Sequence, residues 1–145
     1  MLHTLVMGYF PLRLGPGTDL RRALDAYVFP DGARSGFVVA GLGSLSDPRL
    51  RFAAQERETP IPGPVELVSI SGSLSESGAH VHVVLATAQG RVLGGHLCYG
   101  SEVRTTAELL VVQTQGFRLS RQVDAVTGYK ELAVQPASAT SGNAA

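Results

Sequence analysis

With 145 residues and 44% hydrophobic content, the chain has the size of one domain and enough apolar residues to build a core. Twelve basic residues balance twelve acidic ones, so no net field draws in DNA, RNA or an anionic membrane, and a nucleic-acid role would need a local basic patch. The most basic stretches, Arg21-Arg22, Arg49 with Arg51, and Arg118 with Arg121, are very short or have acidic residues near them, and none makes such a patch in the sequence. No apolar run is long enough to span a bilayer, MLHTLVMGYFPLRLG lacks the pattern of a signal peptide, and the single cysteine, Cys98, excludes an internal disulfide. A reducing compartment, the cytoplasm, is the expectation.

After Thr18 and Asp19, apolar residues recur at Leu20, Ala23, Leu24, Tyr27 and Val28, the spacing of one helical face. This predicts a helix from Asp19 to Val28 with Thr18 as N-cap and Asp19 favourable at the positive helix end. Pro30-Asp31-Gly32 closes it, and GFVVAGLGSL follows as a buried strand running into a turn. Leu50, Phe52 and Ala54 alternate with polar neighbours, as in a half-buried strand, before Pro60, Pro62 and Pro64 impose a loop or sheet edge. Further strands are predicted at Val65 to Ser71, His80 to Thr87, Arg91 to Cys98, Ala107 to Thr114 and Tyr129 to Val134. Residues 1–135 form one domain, and the small, polar segment 136–145 is expected to be disordered.

Three of the four histidines fall within AHVHVVLATAQGRVLGGH. Alternation puts His80 and His82 on one strand face, about 7 Å apart at ~3.4 Å per residue. Whether His96 joins them depends on the hairpin register. A two-residue turn at Gln89-Gly90 sets Val83 opposite His96 and separates the rings. A three-residue loop, Ala88-Gln89-Gly90, pairs Thr87 with Arg91, and so sets His82 opposite His96 and His80 opposite Cys98. Turn chemistry favours the second, because a type I′ turn needs positive φ at both central residues and Gln is poor there, whereas the longer loop needs it only at Gly90. Three neutral imidazoles at His80, His82 and His96 suit a divalent transition metal such as Zn²⁺, with room for water or a small ligand. The alternative is a polar sheet face or subunit contact without metal. Cys98 is either a fourth ligand by register or a small buried residue.

The runs GPVELVSISGSL, HVHVVLATAQGRVLGGHL, EVRTTAELLVV and GFRLSRQVDAVTGYKEL, with RLGPGTDL and AGLGSL upstream, resemble the plants-and-prokaryotes-conserved (PPC) domain from about Met7 to Val134. That domain occurs alone in bacteria and archaea and beside AT-hook motifs in plant nuclear proteins. The resemblance implies an α/β (α+β) fold, a mostly antiparallel sheet packed by one main helix, and a homotrimer. It also implies a metal site at the histidines matching His80, His82 and His96. GPVELV, residues 63–68, matches a plant segment reading Gly-Arg-Phe-Glu-Ile-Leu that mediates protein contacts; Pro64 and Val65 replace its Arg and Phe, while Glu66 is retained. The Arg-Gly-Arg-Pro core of an AT-hook is absent.

Three functions follow as expectations. The leading one is a trimeric module binding metal, and a small ligand, at the three histidines. The others are a metal-dependent enzyme, with Glu66, Glu102 or Glu108 as base, and a DNA-associated or regulatory protein acting through protein contacts. Nucleophile elbow, P-loop and dinucleotide fingerprints are all missing from the sequence.

Overall fold

Alternation in the sequence becomes alternation in space. The computed structural model describes residues 8–137. Its strands are β1 (Tyr9–Leu14), β2 (Gly36–Leu45), β3 (Arg49–Arg51), β4 (Thr59–Pro60), β5 (Val65–Ser75), β6 (Gly78–Thr87), β7 (Val92–Leu97), β8 (Val103–Gln113), β9 (Phe117–Val123) and β10 (Lys130–Pro136), with one helix, α1 (Leu20–Asp25). Along β6, Ala79, Val81, Val83 and Leu85 are buried, while His80 and His82 lie on the opposite face. The buried side joins Leu20, Leu24 and Phe29 in one core.

Eight strands form a sheet in the order β1-β8-β2-β5-β6-β7-β3-β4, and every pairing in it is antiparallel. Both edges carry a proline: Pro11 in β1 and Pro60 in β4. A missing amide donor is tolerated there and discourages further pairing. Strand β1 was not foreseen in the sequence because Pro11 interrupts its pattern. β9 was likewise not anticipated, and it pairs only with β10, forming a separate hairpin.

The helix is shorter than its periodicity suggests, and Asp19 rather than Thr18 caps it, accepting from the Arg22 amide at 3.1 Å. Tertiary partners end it at Asp25. The Asp25 carbonyl, which would accept from Phe29 in a longer helix, accepts instead from Arg34, and the Phe29 amide donates to Ala33. Strand β10 reaches Pro136, opposite Phe117, and the Ala137 amide donates to Gly116 O at 2.9 Å; the rest of the segment expected to be disordered, 138–145, and His3 lie outside the described residues.

The β6–β7 hairpin has the three-residue loop. The Thr87 amide donates to Arg91 O at 2.9 Å, Gly90 has φ +76°, and His82 faces His96. The expected pairing of His80 with Cys98 is absent: the β6–β7 ladder ends at His82 and His96, and the Cys98 amide donates across to Arg49 O at 2.9 Å. Where the ladder stops, Arg21 reaches in from the helix.

Next to this point β5 approaches β6 at Gly72, where a Cβ would collide with the His80 carbonyl oxygen and lie 3.0 Å from the Val81 Cα. Backbone cannot yield as a flexible side chain can. Gly72→Ala is expected to lower stability by about 1–3 kcal/mol, measured as a fall in denaturation midpoint with unchanged slope; an unaltered midpoint contradicts this packing.

Candidate metal centre

Three ring nitrogens converge. His80 Nε2 lies 3.1 Å from His96 Nδ1 and 3.2 Å from His82 Nε2, and His82 Nε2 lies 3.1 Å from His96 Nδ1. The same three atoms are the corners of this near-equilateral triangle. A metal with nitrogen ligands at about 2.0–2.1 Å needs edges of about 3.3–3.4 Å when tetrahedral and about 2.8–3.0 Å when octahedral, so the set falls between the two geometries. Ring protons cannot satisfy all three edges, since one N–H placed inside still leaves two lone pairs opposed. A cation satisfies all three, and the residues present therefore fit a divalent transition metal.

The electrostatics disfavour the charged form at His80 and His96. Burial, then the Arg121 guanidinium, with His82, His96 and Arg21 adding, pushes His80 down to about 4. Burial, followed by Arg51 and other neighbouring cationic groups, also lowers His96. Cys98 does not join the cluster: its Sγ lies 3.7 Å from the His96 carbonyl, and burial with the nearby Glu58 raises its pKa. Among the described residues, the three histidines are the group of His, Cys, Asp or Glu side chains close enough to share an ion.

Two frames hold the site. Arg21 donates to Leu97 O at 2.9 Å and to Ala79 O at 2.6 Å, the carbonyls next to His96 and His80, and its Nε lies 3.3 Å from Asp25 Oδ1. Asp25 in turn accepts from the Ala79 amide at 2.8 Å and from the Tyr99 hydroxyl. On the other side, the β9–β10 hairpin docks through the Arg121 amide, which donates to Ser77 Oγ at 3.0 Å. It brings Arg121 Nη1 within 3.2 Å of His80 Nδ1. Arginine only donates, so in this arrangement Nδ1 accepts and the neutral ring carries its proton on Nε2, inside the triangle.

Several residues at the site were not legible in the sequence. Arg21, Arg51, Arg121 and Lys130 line a cleft with His80 and His96. Each of the three short basic stretches contributes one arginine, although none looked like a patch alone. The candidate bases Glu66, Glu102 and Glu108 do not line the clefts containing the histidines; Glu56 and Glu131 line the larger one.

Fold and cluster together define an antiparallel α+β domain with a three-imidazole site at the end of a hairpin ladder. The family model of the Plants and Prokaryotes Conserved (PCC) domain matches residues 3–115, and the chain belongs to that family, abbreviated above as PPC. A solved hypothetical protein from Salmonella cholerae-suis is 36% identical, with a TM-score of 0.85 over 90% of this chain and 95% of that one. The metal-containing protein AF0104 from Archaeoglobus fulgidus is 28% identical, with a TM-score of 0.73 over 87% and 93% of the two chains. The bifunctional protein GlmU of a Synechococcus strain is 41% identical over 126 residues, 87% of this chain. The chain spans about 20% of the length of the curated relatives it matches. Among the described residues, no helix is long and apolar enough to cross a membrane.

Asp25 gives a pH test of the frame. Burial alone would raise its pKa, but the Tyr99 hydroxyl, the Ala79 amide and Arg21 together hold it below the ordinary carboxylate value. The unfolded chain binds this proton at higher pH than the folded one, so the contribution is present above about pH 3.9 and is lost as pH falls through the depressed folded value. Asp25→Asn is expected to cost on the order of 1–3 kcal/mol at neutral pH, and to shrink this acid-side loss in denaturation curves taken from pH 7 to pH 3. A variant as stable as wild type across that range would contradict the role.

Proposed function

We propose that this chain is a homotrimeric cytoplasmic domain in which His80, His82 and His96 hold a divalent transition metal, zinc by the character of the donors, with a side open to a small ligand. The triangle of nitrogens carries this reading, since a cation resolves the opposed lone pairs at a single point. The metal-containing relative from Archaeoglobus supports it. For the neutral His80 ring to coordinate through Nε2, its proton has to sit on Nδ1, and Arg121 must turn away. When bound, the metal supplies Lewis acidity and positive charge. The protein's part is to keep the imidazoles neutral and aligned.

Assembly rests on the resemblance and on an uncovered apolar surface. Val39, Leu42, Val68 and Val84 are each between 38% and 54% exposed, and Val39 lines a cleft with His80 and His82. A surface of this kind is suited to burial against other copies. Duplex DNA is outside this reading, because a chain with zero net charge gains little from counterion release.

Protein purified without an affinity tag and dialysed with stoichiometric Zn²⁺ is expected to retain about one metal per chain by mass spectrometry. His82→Ala, which removes the ring facing both others, should lose it, whereas His3→Ala should retain it. Wild type without metal, or His82→Ala as loaded as wild type, overturns the assignment. Light scattering at micromolar concentration is expected to give three times the chain mass, and a monomer refutes the trimer.

A further inference from the structure

The charges around the histidines are unusual for a chain with no net charge. Four cationic side chains, Arg21, Arg51, Arg121 and Lys130, line a cleft of about 260 Å³ with His80 and His96, and among the described residues no carboxylate lines it. Where it widens, Glu56 and Glu131 line it together with Arg51, Arg121 and Lys130, and Glu131 Oε1 accepts from Thr127 at 3.1 Å. The cations differ in what they already do. Arg21 is fully engaged by Ala79, Leu97 and Asp25 and acts as scaffold. Arg51 stands opposite His96 across the β3–β7 pair and makes one long bond, 3.3 Å to Gln55 O. The Lys130 ammonium has no hydrogen-bond partner among the described residues, and Arg121 has Nη1 on His80 and Nη2 on the Lys130 carbonyl.

A neutral ligand set leaves a divalent ion with its full charge, and guanidiniums beside it add repulsion rather than relief. Placing a metal on His80 Nε2 also releases Arg121 Nη1, a donor left facing the same cleft. In the narrow part of the cleft this charge has no carboxylate counterpart among the described residues, and Glu56 and Glu131 lie only along the wider parts.

We propose that this cleft binds a small molecule through an oxyanion group, a phosphate or a carboxylate, seated on Arg51, Arg121 and Lys130 beside the metal position. The inference rests on the metal reading and deepens it. Arginine forks match both groups with paired donors, and a concave cleft of this size suits a small anion better than a polymer backbone. Metal loading strengthens the site twice, by adding positive charge and by freeing Arg121.

Co²⁺-substituted protein separates the two readings, because its visible absorption reports the metal while a calorimetric titration reports the anion. Inorganic phosphate and malonate are the probes, and distinguish the two sources of the oxyanion. Saturable binding of one or both is expected, weakened about tenfold or more in Arg51→Gln and in Lys130→Gln, in keeping with loss of one charge-assisted contact, and weakened again in metal-free wild type. Both variants change side chains with little structural engagement, and circular dichroism checks that they fold. Loaded protein that shows the cobalt bands but binds neither probe overturns the oxyanion site and leaves the metal reading standing. Equal affinity in wild type and both variants, or in loaded and metal-free protein, also overturns it. Salt-sensitive binding of duplex DNA through the same side chains, without binding of either probe, refutes a small ligand. Absence of cobalt bands defeats the metal reading itself.

Discussion

Arg21 reaches across 76 residues to Leu97 and 58 residues to Ala79, and its guanidinium closes the gap where two strands stop pairing. The β6–β7 ladder ends at His82 and His96, and beyond it the Ala79 and Leu97 carbonyls would otherwise turn to water. A planar fork with divergent donors fits two such carbonyls as a flexible ammonium does not. Asp25 fixes the fork from behind and also holds the Ala79 amide, so both backbone polar groups of Ala79 are tied to one helical turn. This explains why a six-residue helix suffices. It is anchored by its cap and by this knot rather than by propensity, which in so short a helix cannot carry it. The neighbours of Ala79 and Leu97 are His80 and His96, so the interaction that anchors the helix also sets the spacing of the imidazoles.

The register of the histidines was legible because it is a local property. One glycine with a positive φ selects the loop, the loop fixes the pairing of Thr87 with Arg91, and period-two alternation carries that choice to His82 and His96. The same reasoning overreached by one step. It extended the ladder to His80 and Cys98, where β7 turns instead to β3, and nothing in the hairpin sequence signals that exchange of partner. The helix was overextended for a related reason: Tyr27 has the right spacing, but it packs edge-on against Phe29 outside the helix. Periodicity records which residues are buried, not which element buries them.

The cationic surround was illegible because it is wholly non-local. Arg21 comes from the helix, Arg51 from a three-residue strand, and Arg121 and Lys130 from a hairpin that does not join the main sheet. Short basic stretches read singly carry no information about convergence. Their convergence has a direct consequence for the histidines, since nearby guanidiniums and burial act in the same direction on a ring proton, and both disfavour the charged imidazole. Lone pairs are thereby kept available at neutral pH. The outer nitrogen of His80 faces a donor, Arg121, rather than the carboxylate or carbonyl acceptor that usually orients a metal-bound histidine, so the structure shows the ring in its Nε2–H form.

The site draws on two parts of the fold, the main sheet with its helix and the separate β9–β10 hairpin. The three histidines, Arg21 and Arg51 lie within residues 3–115, which the family model matches, whereas Arg121 and Lys130 lie on the hairpin beyond them. The hairpin's hydrogen bonds to the main body at the Ser75–Gly78 turn are few, from the Arg121 amide to Ser77 and the Glu76 amide to Leu119, supported by Arg118 on Glu76. Leu119 adds a second point of attachment, since it is buried and its amide donates to Ser35 Oγ at 2.9 Å. Convergence of the histidines depends on β6 and β7, which the core enforces, whereas the cations around them come partly from α1 and β3 and partly from the β9–β10 hairpin. Membership of the family thus carries the fold and the β6–β7 hairpin, and the β9–β10 hairpin sets Arg121 and Lys130 beside its histidines.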